Sequence, residues 1–541
     1  MARPSTSRWS ARIRPPTMQH MRLRLPSTII SVLLAIFFVL AITRPPVKYY
    51  PMVEVETRDP TGGLVLSFLL DSRPTLFDCE ALTGNISRRI LEVCSICSVT
   101  QLRCNNTLNK SQEDALSEQA LDIPSGRMKN GVVLFRSNNP NLALAACQET
   151  AKKSSKSAAP VECFSANSPR PNLHVVHPLW PISNLLLLIV TALSAVWLTV
   201  WLIIKYDHLH AHLSHDYCDT GPQKYHEEPT PRIGGLAIMA GLLAAGGFML
   251  LSEKIDIDRN YGLLLIAGIP AFLGGLIEDL TKKVGVTERL LLTMLSGAIA
   301  AWLLDAVLPR LDIPGVDNAM LWPPFAVAIT IFAVGGVANA VNIIDGYNGL
   351  ASGFAIIAFT TLSYVAYLVG DNFVFFTAVS MASALLGFFF WNWPGGKIFL
   401  GDGGAYLTGF LLAELSVFLV ARNPTVSPWF PLAILIYPIF ETLYTIYRRK
   451  LMNGLSPGQP DNKHLHQLIH DNLVTHASIS ETPFCNLQTN NQVAKFLLAP
   501  VLVMAVVCAL FWKSTGLTLT ASVAYCVFYI LNYRRIANRE L

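Results

Sequence analysis

Charge is scarce in this chain. Of its 541 residues only 14% are Asp, Glu, Lys or Arg, against about a quarter in ordinary soluble domains. The net charge of +5 is modest, so nothing supports nucleic-acid binding. No Walker A sequence and no dinucleotide fingerprint occur, which excludes the usual soluble nucleotide folds. From about residue 178 onward no long polar segment exists, and this excludes a large aqueous core domain there. The first 26 residues hold no acidic side chain. What the chain has instead is apolar sequence: 52% hydrophobic, a mean hydropathy of +0.42, and repeated runs near the spanning length of about 20 residues. It reads as a polytopic membrane protein.

Three regions follow. Residues 1–43 carry Arg3, Arg8, Arg12, Arg14, Arg22 and Arg24 ahead of an apolar segment at about 28–43, which reads as a signal anchor with its C-terminal end outside. A cleaved signal peptide, an organelle transit peptide and a start at Met18 or Met21 are the alternatives. Residues 44–177 have no spanning segment but contain Cys79, Cys94, Cys97, Cys104, Cys147 and Cys163. An even count outside the membrane fits disulfides, with zinc or redox chemistry at Cys94-Ser-Ile-Cys97 as the weaker alternatives. Asn85, Asn105 and Asn109 begin glycosylation sequons. Residues 178–541 form the membrane region.

Spans are expected at 180–204, 234–251, 261–277, 290–308, 323–342, 350–369, 372–391, 404–421, 429–446, 494–512 and 516–533. The expected fold is therefore an all-α membrane bundle of about 11 core helices plus the anchor, with a small disulfide-containing extracytoplasmic domain. Alternation from the anchor puts loops 205–233, 278–289, 343–349, 392–403 and 447–493 in the cytoplasm, with Arg534, Arg535 and Arg539 in a cytoplasmic tail. The polar clusters fall in those loops. They are Pro222–Gly235 with Lys224 and Arg232; Glu278-Asp279; Asn339–Leu350 with Asn342, Asp345, Gly346 and Asn348; Asn392 with Phe399–Gly404; and Arg448–Lys450 with Pro460–His466. Nine of the 12 histidines lie in the first and last of these loops.

Taken singly, Glu278-Asp279 reads as a solvated helix end, Gly401–Gly404 as a turn and Arg448–Lys450 as a membrane anchor. Gathered at one face, they read as one interfacial site. Asp279, Asp345 and Asp402 offer oxygen ligands to a hard cation such as Mg²⁺, with Mn²⁺ as its substitute. Mg²⁺ partners phosphates, whose remaining oxygens suit Lys and Arg. Gly401, Gly403 and Gly404 would let the backbone approach a ligand, and Phe399 offers a face for a base.

Five pieces, Pro231-Arg-Ile-Gly-Gly235, Glu278-Asp279, Asn339-x-x-Asn342-x-x-Asp345-Gly, Phe399-Leu-Gly-Asp402 and His464-Leu-His466, occur in this order. Residues 178–470 thereby resemble the polyprenyl-phosphate N-acetylhexosamine-1-phosphate transferase superfamily, most closely its polysaccharide-initiating branch. The resemblance implies transfer of a sugar 1-phosphate from a UDP-N-acetylhexosamine to undecaprenyl phosphate, with Mg²⁺ and release of UMP, in the bacterial inner membrane. It implies Asp402 as first metal ligand, Asp279 at the lipid phosphate with Glu278 beside it, and Asp345 and Asn342 near the pyrophosphate. Phe399 would stack on uracil with Asn392 and Gly346 nearby, and Lys224, Arg232, His464 and His466 would contact phosphates or sugar. It leaves a homodimer open. Glu278 stands where the family commonly has Asp, Asn348 where it has a second Asp, and Gln467 where many members have His. Asn348 therefore puts base recognition at that position in question. The rival readings are a eukaryotic dolichyl-phosphate N-acetylglucosamine-1-phosphate transferase, a transporter, and a sensor with an inactive transferase body.

Overall fold

In hydrocarbon a backbone must satisfy its own hydrogen bonds, so long apolar runs fold as helices. The computed structural model describes residues 50–57, 64–70, 97–105, 125–128, 131–137, 146, 162–164, 182–216, 229–252, 258–452, 454, 461, 463–477 and 487–538. The anchor, Lys224, and Cys79, Cys94 and Cys147 lie outside these residues, and the side chains of Cys97, Cys104 and Cys163 are likewise not described.

The all-α expectation needs one correction. Six strands, β1 (Tyr50–Thr57), β2 (Leu64–Leu70), β3 (Cys97–Asn105), β4 (Ser125–Met128), β5 (Gly131–Ser137) and β6 (Glu162–Phe164), form one sheet in the order β3-β1-β2-β5-β4-β6. Every pairing is antiparallel. The sequence reason is visible in β1, where Val53 and Val55 are buried while Glu54 and Glu56 are not, the period-2 pattern of a half-covered strand. Ser67 on β2 donates to Glu54 Oε1 at 3.1 Å.

The membrane region is helical. Its elements are α1 (Ile182–Lys205), α2 (Asp207–Ser214), a short antiparallel pair β7 (His215–Asp216) and β8 (Thr230–Pro231), α3 (Gly234–Leu251), α4 (Asp258–Thr281), α5 (Val286–Leu304) and α6 (Val316–Met320). They continue with α7 (Pro323–Ile343), α8 (Leu350–Val369), α9 (Asn372–Asn392), α10 (Gly401–Arg422), α11 (Trp429–Ile434), α12 (Ile436–Ile446), α13 (Leu465–Ala477), α14 (Leu487–Phe511) and α15 (Thr515–Ala537). Among the described residues ten helices are long and apolar enough to cross a membrane. The protein is a multi-pass membrane protein.

The span expected at 429–446 is not one helix. It breaks at Leu435 into α11 and α12. Pro438 has no N–H to give to the carbonyl of Ile434, four residues back, and the helix restarts around that gap.

α10 is the axis of the bundle. Of its spanning window 94% is buried, and it packs against α3, α4 and α7. A helix enclosed on all sides is apolar all round, and this one keeps its charge at its ends, Asp402 and Arg422, apart from the buried Glu414. At the Arg422 end, Arg310 donates to the carbonyls of Pro424 and Val426 at 2.7 and 2.9 Å, and Thr515 donates to Asp312 at 2.6 Å. These bonds tie α15 to the loops there. The Asp402 end carries the site.

Candidate active site

A helix leaves its first four N–H groups without partners. At α10 a carboxylate from another segment takes up two of them. Asp279, 1% exposed at the C-terminal end of α4, accepts from Asp402 N on Oδ1 and from Gly403 N on Oδ2, each at 2.9 Å. Asp345 lies beside the Gly401 N–H, which favours its charged form. Negative charge at a helix N-terminus is also favoured by the helix dipole.

This junction is closed by glycine. Gly401 has φ +75, and a Cβ there would clash with the Arg232 carbonyl and lie 2.6 Å from Asp279 Oδ2. A Cβ on Gly235 would strike Gly404 N, and one on Gly275 would strike the Asp402–Gly403 peptide. The sequence reading gave Gly401, Gly403 and Gly404 to close approach of a ligand. In the structure it is other backbone that approaches: Gly403 and Gly404 pack against Leu276 and Gly235.

With its N–H groups capped from outside, α10 points the Asp402 side chain elsewhere. Oδ1 accepts from Arg232 Nη2 at 3.2 Å and Asn342 Nδ2 at 3.1 Å, and Oδ2 pairs with Arg289. Arg232 Nε also lies 3.6 Å from Asp279 Oδ1. Four segments therefore converge on one carboxylate: the stretch before α3, the start of α5, the end of α7 and the start of α10. Glu278 is turned to a local task, its Oε2 accepting from Val284 N at 2.7 Å to close the α4–α5 turn. Burial pushes the Asp345 carboxyl up to about 7, opposed by Arg232 and reinforced by Asp402 and Asp279.

Asn392 stitches two loops together. Its Oδ1 accepts from Gly349 N at 2.6 Å and its Nδ2 donates to the Ile398 carbonyl at 2.9 Å. Phe399 is half-buried, and its backbone pairs with Pro231 and Gly234. Asn348 is buried, with its N–H donating to Asn490 Oδ1 at 2.9 Å. Asn342 is half-buried and Gly346 exposed.

The histidines arrive on α13. His464 precedes the helix, and Gln467 reaches back so that its Oε1 accepts from His464 N at 3.0 Å, a capping-box bond. This gives Gln467 a local role where many family members have His. His464 and His466 stack at 5.2 Å with an interplanar angle of 6°. Nε2 of His466 would lie 3.4 Å from a Cβ on Gly346, and its ring meets Tyr347 edge-on at 5.5 Å. The histidine loop and the Asn339–Leu350 stretch are thus in contact. Burial drops His466 to about 3, so the ring is neutral. Asp461 is held below the usual carboxylate range: burial works the other way, but the bond from Arg448 and the charges of Arg448 and Arg449 prevail.

Arg289, Glu441 and Tyr529 escaped the sequence reading. Arg289 follows the Glu278-Asp279 loop at the head of an apolar run, and Glu441 is a lone acid inside another. An ionisable residue inside a span is a functional signal in itself. Tyr529 carries no such mark.

A sequence model described as "Glycosyl transferase family 4" matches residues 261–420. The phospho-N-acetylmuramoyl-pentapeptide-transferase of Lactobacillus johnsonii is 32% identical over 42% of this chain and 72% of its own. The chain belongs to glycosyl transferase family 4. It is also similar to a probable undecaprenyl-phosphate N-acetylglucosaminyl 1-phosphate transferase of Bacillus subtilis, 29% identical over 45% of this chain and 66% of that one. A decaprenyl-phosphate N-acetylglucosaminephosphotransferase of Mycobacterium leprae is 32% identical over 44% and 66%. The chain spans about two thirds of the length of the curated relatives it matches. In this family 4 chain the matched stretch holds Glu278, Asp279, Arg289, Asn342, Asp345 and Asp402, while Arg232, Glu441, His464, His466 and Tyr529 lie outside it.

Proposed function

We propose that the protein transfers an N-acetylhexosamine 1-phosphate from a UDP-sugar to a polyprenyl phosphate, releasing UMP and starting a lipid-linked glycan. An oxygen of the lipid phosphate bonds to the β-phosphorus, and the bridge from that phosphorus to UMP breaks. The observation that carries this is Asp402, held by two arginines and an asparagine from separate segments at one end of the bundle. Guanidinium forks suit phosphate oxygens as well as carboxylates. Arg232 and Arg289 can therefore pass from Asp402 to an incoming pyrophosphate. N-Acetylglucosamine is the first sugar to test, because the Bacillus subtilis and Mycobacterium leprae relatives carry it in their names.

Among the described residues no three Asp, Glu, His or Cys side chains are placed to hold a metal, and the Asp279 oxygens are engaged by backbone. The donor set still fits Mg²⁺, which is commonly bound by one or two carboxylates and completed by water and substrate phosphates. Asp402 would be the first ligand and Asp345 the second. Bound there, the ion would neutralise charge on the transferring phosphate.

Lys205, Lys282, Lys397, Arg448, Arg449 and Arg534 follow the site end of the bundle, which supports a cytoplasmic site and an external sheet by the positive-inside rule. The test is UMP release by purified protein with undecaprenyl phosphate, Mg²⁺ and a panel of UDP-sugars, against EDTA and Asp402→Asn controls. Lipid-dependent UMP from one sugar is expected, and a folded protein that releases none overturns the reading.

A further inference from the structure

The broken span and the last helix meet at one side chain. Glu441 on α12 is 0% exposed. Its Oε1 accepts from His464 Nδ1 at 2.9 Å and from Leu465 N at 3.3 Å, and its Oε2 accepts from Tyr529 OH at 2.8 Å. A carboxylate that accepts from all its neighbours fixes the tautomer of a neutral His464: the proton sits on Nδ1, and Nε2 carries the lone pair. Among the described residues no group bonds to that Nε2, and the ring's bonds to Glu441 and Thr445 both run through Nδ1. The loop is pinned from the same helix one turn on, where Tyr533 OH donates to the Lys463 carbonyl at 3.0 Å.

We propose that Glu441 is the positioning residue of the histidine loop: held by Tyr529, it fixes His464 so that Nε2 is presented as a base to a phosphate monoester. The inference rests on the transferase reading above. Nε2 can take the proton of a singly protonated lipid phosphate, leaving a dianionic nucleophile and an imidazolium beside the Glu441 charge. Asp279, the acid the resemblance points to at the lipid phosphate, has both oxygens in the cap of α10.

The test is steady-state UMP release by the full chain for Glu441→Ala, His464→Ala, their double variant, and His464→Asn. An asparagine amide can occupy the place of Nδ1–H and keep the bond to Glu441, with nothing where Nε2 stood. We expect folded His464→Asn protein with kcat lowered at least about 100-fold and KM for the UDP-sugar nearly unchanged. The double variant should be no slower than His464→Ala alone. Folded His464→Asn at wild-type kcat, or losses that multiply in the double variant, overturns the proposal. Should Glu441→Ala fail to fold, the His464→Asn arm decides alone. Wild-type protein that releases no UMP sinks the transferase reading instead, so the two failures are distinct.

Discussion

Asp279 grips the two peptide N–H groups that begin with Asp402, with 2.9 Å to each. One acid thus holds the helix end on which the other is mounted. Their substitutions should separate. Asparagine at 279 offers one acceptor for two donors, so Asp279→Asn should lower stability by about 1–3 kcal/mol along with activity. Asp402→Asn should stay folded and lose at least about 100-fold in kcat. Thermal unfolding beside UMP release distinguishes them; a fully stable Asp279→Asn protein contradicts the capping role.

Gly401→Ala tests the junction sterically. The new methyl meets the Arg232 carbonyl and Asp279 in a backbone conformation that disfavours side chains. Loss of transfer with a lowered unfolding temperature is expected, and normal activity would show that the strand before α3 can shift away.

Arg289→Lys keeps the charge but removes the planar fork beside Asp402. A drop in kcat/KM of about tenfold or more is expected in titrations of the UDP-sugar. An unchanged value would limit Arg289 to holding Asp402 in the resting protein.

His466 predicts an acid-side instability. Its folded pKa lies near 3 against 6.5 for the free group, so the unfolded chain binds the extra proton in between. That contribution to stability is complete above about 6.5 and is lost as pH falls toward 3. Asp345 works in the opposite sense, because its raised value of about 7 favours the folded state at low pH and fades as pH rises from 3.8. Comparing unfolding temperatures of wild type and His466→Gln between pH 7 and 5 isolates the histidine. The variant should show the shallower decline, and equal slopes would refute it.

The membrane helices were legible because hydrocarbon imposes length and apolarity directly on sequence, so the runs from 234–251 to 404–421 needed only counting. The clustering at one face followed from alternation. The sheet was missed because β4 and β6 are only four and three residues long and β3 is largely polar, so that only β1, β2 and β5 carry a strand pattern. Asn392 could be found as a site residue but not as a tie between Gly349 and Ile398, since a sequence shows the residue type and hides its partners. Tyr529 was beyond reach for the same reason. What distinguishes it is its bond to Glu441, 88 residues away.

Because α10 touches protein along nearly its whole length, the lipid annulus has no direct hold on the helix that carries Asp402. Changes in bilayer thickness or lateral pressure act first on outer helices such as α1 and α15, whose spanning windows are only 28% and 22% buried. The centre is insulated from the mechanical state of the membrane from which, on the proposed reaction, its acceptor comes. α15 is the exception to that insulation. Largely lipid-exposed, yet bonded through Tyr529 and Tyr533 to Glu441 and Lys463, it is a route by which the surrounding lipid can reach the histidine loop.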